Sequence, residues 1–163
     1  MEPQIIFEDQ DMLVVDKPTG MIVNRADTTR GQDTVQEWAE SQFRIQNSEF
    51  RAEEGSDFHK RGGIVHRLDK ETSGILVIAK IEEAFVNLQA QFKGRDVKKT
   101  YTALVHGELK PAEGEINVPI GRLPWNRTRF GILAEGMQAS SKYKVLSIKY
   151  LVSNKAPEPL SLV

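Results

Sequence analysis

The chain has 163 residues, with 22 Lys and Arg against 23 Asp and Glu, 39% hydrophobic residues and no cysteine. These values fit one globular domain with a real core and exclude a disordered or fibrous chain; the lack of cysteine also excludes disulfides, a thiol nucleophile and a thiolate metal site. No run of about 18 apolar residues occurs, and residues 1–10 carry no basic head followed by an apolar block, so no spanning helix and no secretory leader are expected and the cytoplasm is the expected compartment.

Residues 4–7 and 12–16 are short apolar runs separated by Glu-Asp-Gln-Asp, which predicts an antiparallel pair with a tight acidic turn. Pro18 and Gly20 end the second strand. Thr34 and Glu37 have the spacing of a capping box, and Val35, Trp38, Ala39 and Phe43 follow at helical spacing, predicting a helix over 35–43. Residues 44–63 show no period and end in a Gly-Gly pair, so a long surface loop is expected there.

Residues 75–79 are apolar without alternation, which fits a central strand buried on both faces. A second helix follows, with Glu82 and Glu83 in its first turn, a stripe of Ile81, Phe85, Leu88 and Phe92, and Gly94 as its stop. Residues 98–106 alternate as a strand that gives Tyr101 a defined face; 115–120, 128–133 and 138–152 are further strands, and 153–163 reads as a frayed tail. Strands outnumber helices about eight to two and no βαβ unit repeats, so the expected class is α+β, a mainly antiparallel mixed sheet flanked by two helices in a single domain.

Charge is unevenly divided. Residues 1–57 carry 13 acidic against 5 basic side chains, whereas 58–163 carry 10 against 17, enough to offer phosphate a basic face. No Gly-rich phosphate loop, dinucleotide fingerprint or Gly-x-Ser-x-Gly elbow is present, and His59, His66 and His106 lack paired carboxylate spacing. Nucleotide-driven, redox and metal-dependent mechanisms are thereby disfavoured, and no metal or cofactor is expected.

The most informative stretch is residues 64–80, IVHRLDKETSGILVIAK. In extended chain Arg67 and Asp69 point to one side, and His66 and Leu68 to the other, so an arginine and a carboxylate could share a pocket. From the residues alone, Asp69 also reads as the cap of the turn at 72–74, Arg67 as a surface ion pair with Asp69 or Glu71, and Tyr101 as a core residue.

HRLDKETSG followed by ILVIAK resembles the signature of the RluA-type pseudouridine synthases. Three further segments resemble that family in the same order: LVVDKPTGMIV upstream, VKKTYTALVHG downstream, and PIGR with GMQASSKYKVL near the end. The resemblance implies an enzyme that isomerises uridine to pseudouridine in structured rRNA or tRNA, with no cofactor and no obligatory protein partner, acting as a monomer.

It also implies roles. Asp69 acts at the ribose while the bond from C1′ to N1 breaks, and a carboxylate is ionised at neutral pH without a helper base. Tyr101 stacks on the uracil and helps move the proton from C5. Arg67 fills the space left by the extruded uridine, where a planar guanidinium can stack and bond phosphate. Lys17, Arg122, Arg127 and Arg129 are candidate phosphate contacts, while His66 and His106 are structural. The family's C-terminal basic residue followed by His-Gln-Ile/Leu-Arg has no counterpart here, and neither has the N-terminal RNA-binding module of some relatives. The expectation is therefore one catalytic domain over 1–163, incomplete at its C-terminus. The rival readings are a non-catalytic RNA-binding module derived from such an enzyme and a base-excising glycosidase using Asp69 with Glu71.

Overall fold

The computed structural model describes residues 2–26, 31–45, 55–151 and 158–163. The chain forms two compact units, Met1–Lys98 and Lys99–Val163.

In the first unit, β1 (Gln4–Glu8), β2 (Met12–Lys17) and β3 (Gly74–Ala79) form an antiparallel sheet in the order β1-β2-β3. The acidic turn between β1 and β2 is closed by Asp9, whose carboxylate accepts the Asp11 and Met12 amides at 2.8 Å each. Those bonds favour the charged form and hold the Asp9 pKa below its ordinary value.

Helix α1 (Val35–Ile45) runs two residues beyond the predicted end, and its capping box forms as expected: Glu37 N–H donates to Thr34 Oγ1 at 3.2 Å and Thr34 N–H to Glu37 Oε2 at 3.1 Å. Val35 and Gln36 donate their amides to the carbonyls of Ile22 and Val23, so the loop after β2 is tied to the start of this helix. Val35, Ala39 and Phe43 pack with Leu13, Val15, Leu76 and Ile78 into one core. Full burial of each large aliphatic or aromatic side chain contributes about 1.5–3 kcal/mol.

Part of the expected loop is a helix. Residues 46–54 lie outside the described residues, but α2 (Asp57–Arg61) follows, capped by Ser56 Oγ on the His59 amide at 3.2 Å. Its Phe58 is buried against Phe85 of α3 (Glu82–Gly94) in a second core with Val65 and Ala79. One apolar residue in five was too short a pattern for periodicity to detect.

The two cores explain the run at 75–79. Leu76 and Ile78 enter the first, while Val77 and Ala79 enter or flank the second, so alternation is lost. The strand is not central, however: β2 is the middle strand, β3 borders it, and Ile75 is 54% exposed. The predicted stop at Gly94 is also displaced. Gly94 remains helical and Arg95 takes the left-handed conformation with φ 64°, its N–H returning to Gln91 and Phe92 carbonyls.

The second unit holds β4 (Leu104–His106), β5 (Glu113–Leu123), β6 (Asn126–Ile132), β7 (Met137–Lys144), β8 (Ser147–Leu151) and β9 (Glu158–Leu162). They form two antiparallel sheets, ordered β4-β9-β8 and β6-β5-β7. The α+β class with antiparallel sheets is as expected, with three helices among the described residues rather than two.

Three local readings of this unit change. The strand expected over 98–106 is regular only in β4, leaving Tyr101 outside it; 138–152 divides into β7 and β8. The expected tail contains β9, the middle strand of its sheet, with Leu160 and Ser161 buried; residues 152–157 lie outside the described residues. Ser161 Oγ accepts the Leu109 amide at 3.0 Å and donates to the Gly107 carbonyl at 2.8 Å, which explains a fully buried hydroxyl in a strand.

Candidate active site

The segment leading to Asp69 is placed by two glycines. Gly62 (φ 59°) ends α2 and Gly63 (φ 74°) turns the chain onto the outer edge of β3. There the Ala79 amide donates to the Gly63 carbonyl at 2.8 Å and Ile64 bridges Ile78. A Cβ on Gly63 would stand 2.1 Å from the Ala79 carbonyl oxygen, so no other residue allows this approach.

Beyond it the side chains divide by environment. Ile64, Val65 and Leu68 are buried, while Arg67 and Asp69 are both exposed. His66 accepts the Val77 amide on Nε2 at 3.0 Å and stacks on Phe92 with 4.4 Å between ring centres. His66 thus fastens the segment to β3 and α3, the structural role expected of it. The Thr72 amide donates to the Asp69 carbonyl at 3.1 Å and closes a turn over 69–72. Among the described residues neither Arg67 nor Asp69 forms an ion pair, so the surface pairing with Asp69 or Glu71 is not made.

Lys17 is where the structure departs most from expectation. It is 0% exposed, and its Nζ donates to the carbonyls of Pro18 (2.8 Å), Met21 (2.9 Å) and Lys70 (3.1 Å). An ammonium has three protons, all of them used here, so in this structure none is left for the phosphate contact expected of Lys17. Burial lowers its pKa below the ordinary lysine value, and the charge of Glu71 partly opposes that. A lysine in an alternating strand next to Pro and Gly carries no local sign of burial; the signal is its position on the core face of β2, in phase with Leu13 and Val15.

In the second unit Tyr101 is 53% exposed, and its phenol has no hydrogen bond among the described residues. Arg122, Arg127 and Arg129 all lie on the β5–β6 hairpin and are exposed. Arg122 is partly engaged: its guanidinium carbon sits 4.8 Å over the Phe130 ring and its Nη1 donates to the Arg127 carbonyl at 2.7 Å. Arg127 and Arg129 form no ion pair among the described residues. At the hairpin turn Trp125 is 77% exposed, a residue the sequence reading passed over. Its signal was a tryptophan in a turn two residues from an arginine, where burial is rare and stacking surface is available. No cluster of metal-ligating side chains occurs among the described residues.

Antiparallel sheets with few helices are the fold of solved pseudouridylate synthase domains. Two solved human structures share it: RNA pseudouridylate synthase domain containing 4 has a TM-score of 0.65 at 20% identity over 98% of this chain and 57% of its own. Domain containing 1 has 0.63 at 24% identity over 99% and 58%. In sequence, residues 11–160 match the RNA pseudouridylate synthase family, and the chain belongs to it.

Relatives include ribosomal large subunit pseudouridine synthase D of Nitrosomonas europaea, 37% identical over 88% of this chain and 38% of that protein. Another is an uncharacterised RNA pseudouridine synthase of Aquifex aeolicus, 39% identical over 87% and 42%. The chain spans about two fifths of the length of these relatives.

Proposed function

We propose that this chain carries the catalytic domain of an RNA pseudouridine synthase that isomerises uridine in structured rRNA or tRNA. The reading rests on one observation above others: Asp69 is exposed on a turn anchored on both flanks, within the segment through which the chain belongs to the family.

In this reading Asp69 acts at the ribose as the C1′–N1 bond breaks. The uracil turns, C5 bonds to C1′, C5 loses its proton and N1 gains one, so the atoms balance without a cofactor. Tyr101 offers its free ring face to the uracil and its phenol to the C5 proton. Arg67 is exposed and forms no ion pair among the described residues, which suits insertion into the helix from which the uridine leaves. Arg127 and Arg129 hold phosphate. The protein acts as a monomer in the cytoplasm.

The test is tritium release from C5-labelled bulk RNA of a host lacking its own enzymes of this family. Wild type is expected to release label and Asp69→Asn to release none while binding RNA with unchanged affinity. Equal release by the two proteins overturns the assignment. RNA binding with no release by either supports a binding module, and free uracil supports a glycosidase.

A further inference from the structure

We propose that Lys17, Thr19 and Gly20 form a clasp that holds the Asp69 turn in its working orientation, making Lys17 and Thr19 positioning residues rather than RNA contacts. The inference deepens the assignment of Asp69 and rests on it.

The end of β2 and the loop after it send three donors to the two residues that directly follow Asp69. Lys17 Nζ and the Gly20 amide both bond the Lys70 carbonyl, at 3.1 and 2.8 Å, and Thr19 Oγ1 bonds the Glu71 carbonyl at 2.8 Å. The turn's remaining internal bond, Thr72 amide to Asp69 carbonyl, then fixes the aspartate from the other side. Lys17 faces Gly74 across the β2–β3 ladder, so the ammonium is delivered from the sheet itself, the least mobile support available. It also bonds Pro18 and Met21, which keeps its own loop folded around it.

A buried ammonium is costly unless every proton is bonded. An apolar side chain would fill the same place on the core face without that cost, so the cation does something packing does not: it gathers three carbonyls that would otherwise repel. Displacement of a reacting group by about 1 Å lowers rates on the order of 100-fold.

Thr19 is exposed, so Thr19→Val removes one bond with little threat to folding; Lys17→Met removes three. Single-turnover pseudouridine formation at saturating RNA is expected to fall about 10-fold in Thr19→Val and about 100-fold in Lys17→Met, with RNA affinity within about twofold of wild type and its salt dependence unchanged. A phosphate contact predicts the reverse for Lys17: full rate at saturation, weaker binding, and a salt slope smaller by about one. That result overturns the proposal.

A second measurement does not depend on catalysis. Hydrogen exchange of the Gly20 and Thr72 amides is expected to quicken about tenfold in both variants while amides of β2 and β3 keep their protection. Unaltered exchange at Gly20 and Thr72 also overturns the clasp. Should Asp69→Asn prove fully active, the catalytic assignment fails, and the exchange result still decides whether the clasp holds the turn.

Discussion

Replacing Gly63 by alanine tests whether the approach to Asp69 depends on backbone passing backbone. The added Cβ would lie 2.1 Å from the Ala79 carbonyl oxygen, an atom of the β3 backbone and not a side chain that can swing away. Two costs combine. The left-handed backbone (φ 74°) costs an L-residue about 1–2 kcal/mol, and relief of the clash forces apart the Gly63–Ala79 pair, leaving a buried amide unsatisfied at about 1–3 kcal/mol. The expected loss is about 2–5 kcal/mol.

Gly20→Ala is the matched control, since its φ is 83° but nothing lies within 4 Å of the added carbon. It is expected to lose only the conformational part, about 1–2 kcal/mol. In urea titrations with a slope of about 2 kcal/mol/M, the two midpoints should differ by roughly 0.5–1.5 M at equal slope. Equal midpoints would refute the reasoning, because the clash would then carry no weight. Gly63→Ala should also lose synthase activity before global unfolding, since the edge it disrupts leads directly into the 64–69 segment.

Trp125→Ala is expected to weaken RNA binding by about 1–3 kcal/mol with no change in melting temperature, as the ring is exposed; filter binding alongside calorimetry checks both. Arg127→Ala and Arg129→Ala should each lower the slope of log affinity against log salt by about one, read from binding at several salt concentrations. For Asp9 the folded pKa lies below its ordinary value of 3.8, so its stabilising effect is complete above that value and is lost as pH falls through the lowered one. Asp9→Ala should therefore flatten the part of the acid unfolding curve below about pH 4, measured by far-ultraviolet circular dichroism against wild type.

How much could be read before folding depended on the range of the interaction. The β1–β2 pair, the capping box at Thr34 and Glu37 and the apolar face of α3 are contacts within a few residues, and their patterns were visible directly. The HRLD segment was equally visible, and its alternation survives as exposed Arg67 and Asp69 around buried Leu68. The hairpin arginines were found as charges, while Trp125 was missed although its place in the turn, two residues from Arg127, was the sign of its exposure.

Long-range pairing was not legible. Pro157 and Pro159 made the last residues resemble a tail, yet Pro159 needs no amide where it sits: its carbonyl accepts from Gly107, and Leu160 and Ser161 pair with Val105 and His106 some fifty residues away. Lys17 shows the same division most sharply. Its charge and its place beside Pro and Gly suggested phosphate, because a sequence records what a side chain can donate and not what surrounds it. Only when β2 lays Leu13 and Val15 into the first core, and the chain returns to set the Lys70 carbonyl 3.1 Å away, does the ammonium acquire three partners inside the protein. Short-range pattern settled the elements built from neighbouring residues and where the aspartate lies; closure of the chain settled the last strand, which cation meets solvent and which bonds the turn.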